Sequence, residues 1–145
     1  LRESSTVAPQ ALTLLNAEEV QDRALAFAAR LLKEQKNDAA VIERAFELAL
    51  GRAPGKEEVE LCVTHWKSAT RSESQKKPVA PSFPKKIKRT VMAEKTGEPY
   101  DFWEFLPAFE PYQPDLQRSD TDARTRGLAH ICLVLFNSNE FAYLD

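Results

Sequence analysis

Apolar residues recur along this chain in stripes at helical spacing. Val20, Ala24, Phe27, Ala28, Leu31 and Leu32 fall on one helix face, with Asp22, Arg23, Arg30 and Lys33 on the other. A polar break, "KEQKND", separates a second stripe of Val41, Ile42, Ala45, Phe46 and Ala49. It predicts a helix capped by Asp38, with Gly51 where a C-terminal cap glycine belongs. "GRAPGKEEVE" reads as a turn into a further helix, with Val59, Cys62, Val63, Trp66 and Ala69 facing inward. Glu57, Glu58 and Glu60 crowd its N-terminal turns, where the helix dipole favours anions. Ahead of all three, "APQALTLLN" predicts a short helix with Pro9 in its first turn. Asn16 ends it and, with Glu19 three places on, forms a capping box for the next.

Residues 71–120 break the pattern, and most of the prolines fall there. Lys76, Lys77, Lys85, Lys86, Lys88 and Arg89 make the first part basic; Glu94, Glu98, Asp101, Glu104, Glu110 and Asp115 make the second acidic. Within it, "KIKRTVMAEKTGEPYDFWEF" reads as two strands about a "KTGE" turn, with a short helix over 86–95 as the competing assignment. Ile87, Arg89 and Val91 would share a side, and Tyr100, Phe102 and Glu104 alternate on the return strand. "LPAFEPYQPDLQ" is no helix interior, because Pro107, Pro111 and Pro114 interrupt it; it predicts an extended segment anchored by its aromatics.

The last long helix starts near "SDTDARTRG", where Ser119, Asp120 or Thr121 can cap it. From Leu128 to Phe136 it is apolar on nearly every face, which places it at the centre of the bundle. Asn137 ends it, and Ser138 or Asn139 can cap a final turn whose Phe141 and Leu144 fold back on the core. The pattern predicts a mainly α fold: about five helices in a bundle, with a long proline-rich insertion over 71–120 that has room for a small β-hairpin. Residues 1–145 read as a single helical domain or as the C-terminal part of a larger one. The opening "LRESSTVAPQ" reads as the middle of a longer protein.

Composition narrows the chemistry. A formal net charge of -2 gives no global field toward nucleic acid. No apolar run approaches the roughly 20 residues of a membrane span. "CVTH" at Cys62–His65 lacks the second cysteine of a covalent haem site, and Cys62, His65, His130 and Cys132 make a poor zinc inventory. The two cysteines read as buried thiols, with one disulfide as the alternative. No nucleophile elbow, phosphate loop or zinc-protease motif occurs, so neither a catalytic residue nor a cofactor or metal site is expected. Asp101 and Glu104 are the best available pair of acids for glycoside chemistry. Arg124 and Arg126 lie at a positive helix end and call for carboxylate partners, with Asp120 and Asp122 nearest in sequence. Tyr100, Phe102, Trp103, Phe105, Phe109 and Tyr112 form an aromatic cluster with three readings: loop anchors, a protein interface or a ligand-stacking surface.

Two stretches together point to a family. "VAPQALTLLN" at 7–16 and "LVLFNSNEFAYLD" at 133–145 resemble signature segments of the planctomycete C-terminal domain of unknown function 1553. "LALGRAPGKEEVELC", "RTVMAEKTGEPYDFWE" and "PDLQRSDTDARTRGLA" are similar to it as well. Val7-Ala8-Pro9-Gln10 departs from the family's T-P-L-Q, with no Leu between Pro9 and Gln10. The resemblance implies context rather than chemistry: an exported, periplasmic or otherwise extracytoplasmic multidomain protein with a cytochrome c-like domain upstream. The upstream domains are then the expected partners, with a polysaccharide as the alternative. Gln10, Asn16, Asn137, Asn139 and Glu140 match the motifs and read as helix caps and joint residues.

Overall fold

The computed structural model describes residues 17–80, 84–106 and 115–142. The short helix expected over 8–16, with Gln10 and Asn16, lies outside them, as do Phe109, Tyr112 and Leu144. The described residues divide into two compact units, a helical one within Leu1–Ala80 and Asp115–Asp145 and a hairpin within Pro81–Pro114. The fold is mainly α with one small antiparallel sheet, in agreement with the sequence pattern.

In the helical unit, α1 spans Glu18–Glu34, α2 Asp38–Leu50 and α3 Lys56–Ser74. A 3-10 turn at Arg118–Asp120 precedes α4, Ala123–Phe136, and the single turn α5, Asn139–Ala142. The inward stripes follow the spacing in part: Ala24, Ala28 and Leu31 of α1 are buried together with Leu25, which the expected stripe did not include, while Val20, Phe27 and Leu32 are half-buried; Val41, Ile42, Ala45 and Phe46 of α2 are buried and Ala49 is half-buried. Trp66 of α3 joins their core and Ala69 is buried, while Val59, Cys62 and Val63 pack partly buried at the margin. Full burial of a Leu or Ile side chain contributes about 1.5–3 kcal/mol, so these stripes hold the bundle.

The helix ends differ from expectation by single residues. Ala17, not Asn16, holds the cap position of α1 and makes no side-chain bond; Glu18 and Glu19 support that end through the dipole instead. Asn37, not Asp38, caps α2: its Oδ1 accepts from the N–H groups of Ala39 at 2.8 Å and Ala40 at 3.4 Å. Asp122, rather than Ser119, Asp120 or Thr121, caps α4 by accepting from Thr125 N–H at 2.7 Å. Gly51 closes α2 with φ 70°, as its position predicts. At the start of α3, Glu58 reaches back to Gly55 N–H at 2.7 Å.

α4 lies at the centre, packed on both α1 and α3. Leu128, Ala129, Ile131, Cys132 and Leu135 are buried along it. Its crossing with α3 is close enough to require a glycine. A Cβ at Gly127 would sit 2.7 Å from the backbone nitrogen of Thr70 and 2.9 Å from its Cα. Asn137 ends α4 and donates through Nδ2 to Leu133 O at 2.8 Å. Ser138 Oγ accepts from Phe141 N–H at 3.2 Å and starts α5. Phe141 meets the Phe136 ring at 5.2 Å, and Phe136 stacks on Phe27 at 5.5 Å. The polar triplet at 137–139 is thus a joint between two helical pieces.

In the hairpin unit, β1 spans Lys86–Met92 and β2 Pro99–Phe105. The strands pair antiparallel with Arg89 opposite Phe102 and Val91 opposite Tyr100, so the helix considered over 86–95 does not form. Gly97, at φ 69°, supplies the left-handed residue of the connecting turn, and Ala93 N–H donates to Glu98 O at 2.9 Å.

Candidate functional site

The hairpin distributes its aromatics over both faces. Residues paired across an antiparallel ladder share a face. Tyr100 and Phe102 therefore lie with Ile87, Arg89, Val91 and Glu104, and Trp103 and Phe105 lie with Lys86, Lys88, Thr90 and Asp101. The Tyr100 and Phe102 rings are 6.2 Å apart. Lys86 Nζ stands 4.7 Å from the Trp103 ring centroid. All four aromatics are exposed, Trp103 at 53% and Phe105 at 76%. The acids beside them are engaged: Lys88 donates to Asp101 at 2.5 Å, Thr90 Oγ1 at 2.7 Å, and Arg89 pairs with Glu104. Lys88 first, then Thr90, hold the Asp101 carboxyl below its usual range. Asp101 and Glu104 point to opposite faces, so they do not flank one cleft as a glycosidase pair must.

A second constellation lies in the helical unit and was not anticipated. Glu73, near the end of α3, has no side-chain exposure. Its Oε1 accepts from Lys76 Nζ at 2.8 Å and faces His130 Nε2 at 3.3 Å. Its Oε2 accepts from Arg118 Nη2 at 2.7 Å and Arg126 Nε at 3.1 Å. Burial alone would raise the Glu73 carboxyl; Lys76 and Arg118 outweigh it and bring it down to about 2. Arg126 is itself buried and completes its bonds on the backbone oxygens of Glu73, Arg118 and Thr121. Above this cluster opens a cleft of about 530 Å³, lined by residues including Gln21, His65, Lys76, Arg118 and His130, with Ala129, Leu133 and Val134 as its apolar part.

The partners of the two arginines correct the sequence expectation. Arg124 donates to Asp38 at 2.7 Å and lies 4.4 Å from the Trp66 ring, and Trp66 Nε1 donates to Arg124 O at 2.9 Å. Arg126 pairs with Glu73. The local acids are already committed: Asp122 caps α4, and Asp120 accepts from Gln117 N–H at 3.2 Å to close the 3-10 turn.

Of the motif residues, Asn137 forms the joint already described, Asn139 opens α5, and Glu140 pairs with Arg52 across the unit. Arg52 also makes two bonds of 2.9 Å to Glu58 and lies 5.2 Å from the Phe46 ring. It thereby ties α5 to the start of α3. Cys62 and Cys132 are free thiols. Among the described residues no group of three or more His, Cys, Asp and Glu is placed to hold a metal. No helix among them is long and apolar enough to cross a membrane.

Residues 1–66 match the sequence profile of a family described as a protein of unknown function (DUF1553). That stretch takes in the 7–16 segment, α1, α2 and the first part of α3; the hairpin, Glu73 and α4 lie beyond it. No curated protein and no solved structure matches the chain.

Proposed function

We propose that the chain is a non-catalytic interaction module of the DUF1553 kind, docking on another part of the longer protein to which it belongs. The observation that carries this reading is the hairpin, which holds Tyr100, Phe102, Trp103 and Phe105 exposed on a two-stranded frame. Aromatic residues and arginine are the side chains enriched at protein interfaces and at their energetic centres. The acids among them are neutralised by Lys88 and Arg89 and so serve the frame rather than chemistry. In this reading the parent is exported and extracytoplasmic, the partner is an upstream domain such as a cytochrome c-like one, and the module works without a cofactor of its own.

The test is light scattering of the chain mixed with the upstream portion of its parent, with F102A/W103A alongside. A one-to-one complex that the double variant fails to form supports the reading. No complex, or a complex indifferent to the variant, overturns it. The half-exposed Trp103 ring also favours a second reading, in which the hairpin stacks on a polysaccharide. Retention on immobilised glycans that W103A loses would move the assignment there.

A further inference from the structure

We propose that the cleft over Glu73 binds an oxyanion, the carboxylate or phosphate group of a small ligand. Three cations, Lys76, Arg118 and Arg126, meet one carboxylate there, leaving an excess of positive charge in a chain whose formal net charge is -2. Glu73 is the only carboxylate lining the cleft among the described residues. Its two oxygens are filled by Lys76, His130, Arg118 and Arg126, so it acts as the buried post that fixes the donors.

Those donors have capacity left. An ammonium offers three hydrogen bonds and Lys76 uses one on Glu73. Arg118 gives Nη2 to Glu73, and its Nε and Nη1 meet no acceptor among the described residues. The Gln21 and His65 side chains donate to none of the described residues either. Arg126, by contrast, is saturated and serves the post alone. Guanidinium and ammonium groups that converge with free N–H bonds recognise carboxylate and phosphate oxygens. The volume of about 530 Å³ suits a small molecule, and Ala129, Leu133 and Val134 offer contact to its carbon part.

The test is a titration of the whole chain with inorganic phosphate and, separately, with succinate, at ionic strength held constant by chloride. Backbone amide chemical shifts are followed. Saturable shifts confined to the surroundings of Gln21, His65, Lys76, Arg118 and His130 are expected with at least one of the two. Phosphate alone, succinate alone, or both would identify which oxyanion the cleft prefers. Lys76→Gln, which removes an exposed side chain just beyond α3, is expected to weaken binding roughly tenfold. Lys33→Gln, an exposed lysine on α1, is expected to leave it unchanged. Absence of saturable shifts with either ion overturns the proposal. So does equal weakening by K76Q and K33Q, which would mean unspecific ionic attraction.

Discussion

Replacing Glu73 by glutamine tests the buried post directly. The folded carboxyl ionises at about 2 against an ordinary value of 4.5. At about 1.4 kcal/mol per tenfold change in proton affinity, that difference is worth about 3 kcal/mol at neutral pH. The folded value is depressed, so the unfolded chain takes up the proton first as pH falls. The stabilisation is complete above 4.5 and is lost as pH drops toward about 2. The same attraction seen from the other side is the counter-charge that E73Q takes from Arg126, which has 7% of its side chain exposed, so it is not added a second time. Urea unfolding followed by far-UV circular dichroism reads the helices and ignores the hairpin. The wild type is expected to exceed E73Q by about 3 kcal/mol at pH 7, and the gap should shrink to under half by about pH 3. The exposed carboxylates are common to both proteins and cancel in the difference. A gap below about 1 kcal/mol at pH 7, or one undiminished in acid, would refute the reasoning.

Three further outcomes follow from the packing. Gly127→Ala is expected to lower stability by about 1–3 kcal/mol in the same urea assay, although alanine favours helix, because its Cβ meets the Thr70 backbone. Arg52→Gln is expected to release the last turn: amide exchange at 139–142 in α5 should quicken, and α4 should keep its protection. Burial pushes the Cys132 thiol far above its ordinary range, and Cys62 rises less. A thiol reagent at neutral pH should therefore spare Cys132 until urea unfolds the chain, while half-buried Cys62 reacts slowly in the native state.

The stripes of α1, α2 and α4 were readable because each buries against a neighbour at the helical period. The hairpin was readable because Ile87, Arg89 and Val91 alternate toward a glycine turn that Tyr100, Phe102 and Glu104 mirror. Glu73 was not. It stands in "ATRSESQKK", a stretch that reads as solvated, and its partners Arg118 and Arg126 are more than forty residues away. The same polar stretch placed the start of the insertion at residue 71, though α3 runs on to Ser74. The cap shifts share a cause. Adjacent polar residues such as Asn37 and Asp38 are equivalent as letters, and only backbone geometry decides which one accepts. The hairpin aromatics were visible as a cluster, but their division between two faces depends on register, which pairs Trp103 with Lys88 and Phe102 with Arg89.

Contact between Glu73 and Arg118 means that the chain leaves the helical unit and returns to it at nearly the same place. Everything between is a loop already closed by that bond. Closure entropy grows only logarithmically, so halving or doubling such a loop changes the stability of the helices by about 0.6 kcal/mol. The segment is in effect a cassette. In closure entropy alone, its length can change at little cost to the bundle that carries it. A chimera that replaces the hairpin by a short flexible linker would keep the helical unit and separate the duties of the two.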